Sequence, residues 1–250
     1  MSGHSKWHSI KHKKGAADAK RGKIFTKHAK LIAIAAKEGG DDPEMNPALR
    51  TAIANAKADN VPNANIEKAV KKGAGEGKEG MGLTETIYEG FGPAGTAVYV
   101  QVVTDNKNRA VASVKNIFTK HGGGMGEAGS VAWMFDKKGI ILAKADNKSP
   151  EEAQLDAIDA GAEEISVEGK DFEIITDPQQ LMNVRHNLEN SGFKVEKAEL
   201  SYIPNTPVKI DNMEDAKKIL NLVEALEDDE DVANVYSNFD IPEEILEEIV

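Results

Sequence analysis

The alternation of strand and helix patterns between residues 138 and 203 is the feature that most restricts how this chain can fold. Hydrophobic periodicity predicts six elements there, in the order strand 140–143, helix 149–160, strand 164–167, strand 172–176, helix 178–190 and strand 194–203. This β-α-β-β-α-β order is that of a ferredoxin-like sheet with two helices on one face. We therefore expect this segment to form a domain with a core of its own.

The segments on either side of it each contain only part of a sheet. Before it, the patterns predict strands at 85–89, 96–104 and 130–135 and a helix at 108–121; after it, they predict strands at 208–210 and 232–239 and helices at 213–226 and 242–250. Neither set completes a sheet alone. We predict that the two sets together form a second ferredoxin-like domain into which the first is inserted.

The first quarter of the chain is helical in pattern. One stripe of apolar residues begins at Ile24 and stops at Gly39, a second follows Asn46-Pro47, and a third runs from about Asn63 to Gly73. Five glycines between 73 and 82 indicate a linker. The predicted fold class is thus a multidomain α+β protein with a three-helix module and two ferredoxin-like domains. The predicted domains are 1–78, a discontinuous domain of 79–137 and 204–250, and the inserted 138–203.

The net charge of −11 is distributed unevenly. Residues 1–78 carry 16 Lys/Arg and 8 Asp/Glu, a net charge of +8, whereas residues 79–250 carry 15 against 34, a net charge of −19. Residues 1–37 hold ten Lys/Arg and a single acid, Asp18. A basic block of this kind is typical of a segment that binds polyanions.

The residues that we expect to bind nucleic acid are the cations of this block and its neighbouring aromatic and imidazole groups. They are Lys6, Trp7, Lys11, His12, Lys13, Lys14, Lys20, Arg21, Lys23, Lys27 and Lys30. Ammonium groups displace counterions from phosphates, and an exposed indole offers a face on which a base can stack. We expect residues 1–22 to be an extended arm that precedes the first helix.

Other interpretations of the arm compete with this one. The arm can act as a solubilising tail, or it can resemble a mitochondrial transit peptide, although it is poor in arginine. The spacing of His4, His8 and His12 suits a metal site, but no Cys or carboxylate accompanies them before Asp18. We expect neither a metal nor a cofactor.

Three further patterns bear on binding. The string at 124–129 matches Gly-x-Gly-x-x-Gly but follows a predicted helix, so a glycine-rich turn explains it better than a dinucleotide site. Lys107, Arg109, Lys120 and His121 are candidates for a second phosphate contact; the alternative is that this motif is structural and its Asp and Asn residues, at 105, 106 and 108, are helix caps. Residues 219–250 hold 11 acids and no Lys or Arg. They form a solvated face or dock on the basic arm.

Several strings resemble those of the YebC/PmpR family of bacterial proteins, whose mitochondrial relatives activate translation of cytochrome oxidase subunits. They are GHSKW at 3–7, IKHKK at 10–14, RGK at 21–23, NPALR at 46–50, YEGFGP at 88–93, TDN at 104–106 followed by Asn108-Arg109, and FTKHGG at 118–123. The resemblance implies three domains, cytoplasmic residence and a role in gene expression. Family members are usually described as probable transcriptional regulators that bind DNA, and others as ribosome-associated factors that relieve stalling, notably at proline runs.

The sequence therefore predicts a cytoplasmic, non-enzymatic protein that binds nucleic acid. A DNA-binding transcriptional regulator is the first hypothesis, and a translation factor that binds ribosomal RNA through the same arm is the second. The arm suits both, because phosphates and bases are common to both targets. We expect no membrane partner and no small-molecule substrate. Without a heptad seam or a pair of recognition helices, we expect a monomer.

Overall fold

The computed structural model describes residues 18–75 and 82–249, and it begins with three packed helices. They are α1 (Asp18–Gly39), α2 (Pro47–Ala58) and α3 (Asn63–Gly73). The predicted three-helix module is confirmed. In the described residues α1 starts at Asp18 rather than Ile24, because Ala, Lys and Arg at 19–21 are strong helix formers. The expectation of an extended arm through residue 22 was wrong for residues 18–22.

Asn46 joins the first two helices of this module. Its side-chain oxygen accepts the N–H of Leu49 at 3.1 Å and so caps α2, while its amide nitrogen donates to the carbonyls of Ala35 and Gly40. Pro47 follows at the first helical position, where the missing N–H costs nothing. This residue pair fixes both where α1 ends and the angle at which α2 leaves it.

The first sheet has the strand order β3-β1-β2-β9, with every neighbouring pair antiparallel. Its strands are β1 (Thr84–Phe91), β2 (Ala97–Thr104), β3 (Gly124–Met125) and β9 (Val232–Ser237). Helices α4 (Lys107–Lys120) and α7 (Met213–Glu227) cover one face and enclose the largest core. Alternate residues of β2, from Val98 to Val102, point into this core, as the period of a strand requires.

The second sheet lies between these parts in sequence and has the order β5-β6-β4-β7. Its elements are β4 (Phe135–Lys144), α5 (Pro150–Ala160), β5 (Glu164–Glu168), β6 (Asp171–Thr176), α6 (Leu181–Asn190) and β7 (Lys194–Pro204). The order and the antiparallel pairings are those of a ferredoxin-like domain inserted in the first, which confirms the predicted fold class. The residue limits of the three domains stay a prediction.

The chain ends with smaller elements. Strands β8 (Val208–Lys209) and β10 (Phe239–Asp240) pair in parallel, and α8 (Glu243–Ile249) buries Leu246. The strand predicted at 232–239 is divided, because the side chain of Asn238 accepts the N–H of Ala97 at 2.7 Å and donates to the carbonyl of Thr206. No helix among residues 18–75 and 82–249 is long and apolar enough to cross a membrane.

The other face of the first sheet is covered by two different parts of the chain. At one end, Tyr99 of β2 contacts Tyr202 of β7, with ring centroids 4.8 Å apart. At the other end, Ala33 and Ile34 of α1 pack with Val103. The helical module also reaches the inserted sheet through α2, where Asn55 accepts the N–H of Ala198. The three parts therefore contact one another directly.

The strand predicted at 130–135 was wrong, and Glu89 explains why. Its buried carboxylate accepts the N–H groups of Gly129, Val131 and Ala132 at 2.7–2.8 Å. Donors used in this way are not available to a sheet ladder. The glycine string at 124–129 accordingly contributes the short strand β3 and then a loop tied to β1. A glycine-rich turn is its role in this fold.

We expect Glu89→Ala to lower the free energy of unfolding by about 2–3 kcal/mol, because it leaves buried N–H groups without acceptors. Burial raises the pKa of Glu89, but the three N–H donors outweigh burial and hold it below its ordinary value of 4.5. This stabilisation is present above that value and is lost as the pH falls through the folded-state pKa. Urea denaturation should therefore show the two proteins converging at acid pH. Glu85→Ala, at an exposed site on the same strand, is the control and should change little.

Candidate nucleic-acid interface

The predicted binding residues fall into two groups with respect to the structure. Lys6, Trp7, Lys11, His12, Lys13 and Lys14 lie outside the described residues, as do His4 and His8. Lys20 and Arg21 belong to α1 by their backbone, and their side chains are not described. The described part of the interface therefore begins at Lys23.

Lys23, Lys27 and Lys30 lie on one face of α1, since they are spaced by four and three residues. This face contacts the end of α7 and the acidic turn, which we define as residues 227–231. The Nζ atom of Lys23 lies 3.3 Å from the Asp228 carboxylate, Lys27 donates to the carbonyl of Glu227, and Lys30 donates to the carbonyl of Glu230. The last carbonyls of a helix carry partial negative charge and lack partners within the helix. Three cations of the basic block thus contact the acidic turn, and of these Lys27 and Lys30 form the less exposed contacts.

Asp231 is the centre of this contact. One of its carboxylate oxygens lies 2.9 Å from Lys30 Nζ, and both oxygens accept N–H groups of the Arg109 guanidinium at 2.9 Å. The residue is only 4% exposed. Burial alone raises the pKa of Asp231, but Arg109 and Lys30 outweigh burial and lower it. Asp231 therefore joins α1 and α4 to the start of β9 as an ionised group.

Arg109 has further partners in the same place. Its guanidinium lies 2.9 Å from the Asp105 carboxylate, and these bonds to Asp231 and Asp105 raise its pKa. Its backbone N–H is accepted by the side chain of Asn106, which caps α4. Asn106 therefore has the capping role expected for it. The Arg109 side chain is still 55% exposed, so one edge of the guanidinium faces solvent.

The remaining members of the possible second phosphate contact lie at the two ends of α4. Lys107 and Lys120 are exposed, and His121 is half-buried at the C-cap. Within residues 18–75 and 82–249, no carboxylate forms an ion pair with Lys107 or Lys120. Their ammonium groups are accessible from solvent, unlike those of Lys27 and Lys30, whose bonds lie within the fold.

Sequence reasoning missed the acceptors in this site. In the sequence the acids at 227–231 belong to one long acidic segment, and no local pattern distinguishes Asp231 from Asp229. The expectation that an acidic segment docks on basic residues has a counterpart in the contacts of the acidic turn with α1. Residues 1–17 of the arm lie outside the described residues.

These features define the class of the protein: a basic helical module held by ion pairs against an acidic body of two antiparallel sheets with helices. Two family models match the chain. One, described as the TACO1/YebC protein N-terminal domain, matches residues 5–76, and the other, the TACO1/YebC second and third domain, matches residues 83–239. The protein belongs to the TACO1/YebC family.

Relatives with curated names agree over the full length. A probable transcriptional regulatory protein of Geotalea uraniireducens is 54% identical over 255 residues, with all of both chains covered, and one of Geobacter sulfurreducens is 52% identical over 250 residues, again with full coverage. Among solved structures, a conserved hypothetical protein from Aquifex aeolicus matches with a TM-score of 0.84 and 46% identity, over 92% of this chain and 94% of that one.

We expect Asp231→Ala to lower the free energy of unfolding by about 2–4 kcal/mol. This expected loss is close to the loss measured when one partner of a buried ion pair is removed. It is somewhat smaller because Lys30 and Arg109, the cations that lose this carboxylate, are partly exposed. The pKa of Asp231 is lowered, so its contribution is present at neutral pH and is lost as the pH falls through that pKa. Chemical denaturation at pH 7 measures the loss. The control is Asp105→Ala, which removes an exposed partner of the same arginine; equal losses for the two variants would contradict the central role of Asp231.

Proposed function

We propose that this protein is a DNA-binding transcriptional regulator that acts in the cytoplasm through its basic N-terminal segment. One observation carries the proposal: ten cations and one acid lie in residues 1–37 of a chain whose residues 79–250 have a net charge of −19. Separation of charge on this scale favours a polyanionic partner for one end of the molecule alone. The names of the curated relatives support a regulatory role.

The contacts of α1 support a specific form of this proposal. Lys27 and Lys30 are bound to the acidic turn, and Ala33 and Ile34 pack with Val103 behind them. The helix is thereby fixed to the first sheet. A basic segment that precedes a fixed helix starts from a defined point on the protein. Nucleic acid bound there would be held at a definite position relative to the two sheets.

The cations of α1 divide into two classes under this proposal. Lys27 and Lys30 belong to the fold, so their replacement should reduce stability as well as binding. Lys23 has a half-exposed side chain and a carboxylate partner that is also half exposed. Exposed pairs of this kind contribute little to stability. Lys23 can therefore turn to a phosphate at little cost, unlike Lys27 and Lys30.

Replacement of Lys11, Lys13 and Lys14 by glutamine tests the proposal. Each lost phosphate contact should reduce the slope of log K against log[salt] by about one, so the triple variant should lose about three. Fluorescence anisotropy with a labelled duplex, titrated at several salt concentrations, measures that slope. A matched triple variant, Lys137→Gln, Lys170→Gln and Lys194→Gln, carries the same charge change on strands and a turn of the inserted domain. Equal slopes for the two variants would overturn the proposal.

Ribosomal RNA is the competing target, and a second measurement separates it from DNA. The purified protein is sedimented with ribosomes near physiological salt, with and without excess duplex DNA. We expect the duplex to remove the protein from the ribosomes, because a DNA-binding regulator prefers DNA when both polyanions are present. Retention on the ribosome despite excess duplex, with loss in the Lys11, Lys13 and Lys14 variant, would replace transcription by translation as the function.

A further inference from the structure

Helix α4 is unusual in the acidic part of the chain because it contains no acid. Its 14 residues include four cations, Lys107, Arg109, Lys115 and Lys120. The buried side consists of Ala110, Val114 and Phe118, which pack in the core of the first sheet. All charge on this helix is therefore positive.

Two parallel rows of side chains face away from the core, each with spacings of four, three and four residues. One row is formed by Asn108, Ala112, Lys115 and Thr119, and all four are exposed. The other is formed by Arg109, Ser113, Asn116 and Lys120. Residues with these spacings lie along one side of a helix. We define the α4 face as Asn108, Ala112, Lys115, Asn116, Thr119 and Lys120.

The second row borders the acidic turn. Arg109 is bonded to Asp231 and Ser113 to Asp229, so the carboxylates that come closest to α4 in these contacts are already occupied. Within the described ranges no carboxylate forms an ion pair with Lys115 or Lys120, whereas Lys138 and Lys144 of β4 are both paired. The positive charge of the α4 face therefore remains available to a partner in solution.

The same turn places this face beside the start of α1. Asp228 contacts Lys23 of α1, while the next residue, Asp229, contacts Ser113 of α4. Lys23 is five residues from Asp18, which corresponds to about 7.5 Å along a helix axis. The basic N-terminal segment joins α1 at that end. The α4 face thus lies on the side of the molecule where α1 begins.

We propose that the α4 face is a second nucleic-acid contact. It binds the sugar-phosphate backbone of the same nucleic acid that the N-terminal segment binds. Ammonium and amide groups are among the side-chain donors that usually contact phosphate and sugar oxygens, and the exposed residues Lys115, Lys120 and Asn116 present both kinds. The Thr119 hydroxyl donates to the carbonyl of Lys115 within the helix. The inference rests on the proposed function and extends it from a single basic segment to a surface with two parts. Contacts of this type position a nucleic acid without reading its sequence.

The test compares two double variants with equal changes of charge. Lys115→Gln/Lys120→Gln alters the α4 face, and Lys137→Gln/Lys194→Gln alters two exposed lysines of the inserted sheet. Both are measured by anisotropy against a labelled mixed-sequence DNA duplex and a labelled RNA of the same length over a salt series. For the first variant we expect the slope of log K against log[salt] to be smaller in magnitude by about two, one for each lost phosphate contact. The second variant should have the slope of the parent protein.

The outcomes separate this inference from the proposed function. If the Lys11, Lys13 and Lys14 variant loses affinity while Lys115→Gln/Lys120→Gln matches the parent on both nucleic acids, the α4 face is a solvated surface and the inference fails alone. If neither variant differs from the parent, the proposed function fails with it. A loss confined to the duplex or to the RNA identifies which backbone the face contacts. Circular dichroism of the variants confirms that exposed substitutions leave the fold intact.

Discussion

The carboxylate of Asp231 is the interaction on which the arrangement of this molecule depends. It is buried, and it accepts bonds from Lys30 of α1 and Arg109 of α4 while its own chain enters β9. Burying an ion pair yields little net stability, since desolvation offsets the attraction. Its effect is on geometry, because Lys30 and Arg109, which come from separate helices, must both reach the same carboxylate. Ala33 and Ile34 contribute the buried apolar surface between α1 and the sheet. The bonds of Asp231 fix the position of α1 along that sheet.

This arrangement decides which basic residues are available to a partner. Counting charges along the sequence gives every lysine of the first 37 residues equal weight. In the structure, Lys27 and Lys30 bind the acidic turn, and Lys37 donates to the carbonyl of Leu83. On α4 the guanidinium of Arg109 is engaged in the same way, whereas Lys115 and Lys120 are exposed. The accessible positive charge thus depends on where the acidic turn lies.

Features set by neighbouring residues were predictable from the sequence. Asn46-Pro47 started α2 as expected, Ser149 and Glu152 form the capping box that begins α5, and the β-α-β-β-α-β order gave the inserted sheet. The insertion itself followed from strands that lacked partners on either side. Family resemblance at the motif level agreed with the family models.

Features set by distant residues were not predictable. The strand predicted at 130–135 did not form, because Glu89, about 40 positions earlier in the chain, accepts the N–H groups of Gly129, Val131 and Ala132. Arg109 and Asp231 are separated by 122 positions, and Lys30 and Asp231 by 201. A periodicity read over a dozen residues contains no information about such partners. The binding residues in the N-terminal segment stay a prediction, because they lie outside the described residues.

The acidic body has a physical consequence for any polyanion that approaches the protein. With a net charge of −19 over residues 79–250, most of that surface repels phosphate, and the repulsion extends over about a Debye length, roughly 8–10 Å at moderate salt. The acid-free α4 face interrupts this field next to the start of α1, where Asp228 of the acidic turn is paired with Lys23, and Asp231 with Lys30 and Arg109. Repulsion by the acidic sheets and attraction by the α4 face have the same effect, since both would confine nucleic acid to one side of the molecule. The acidic sheets would therefore contribute to orientation in the proposed complex without contacting the nucleic acid at all.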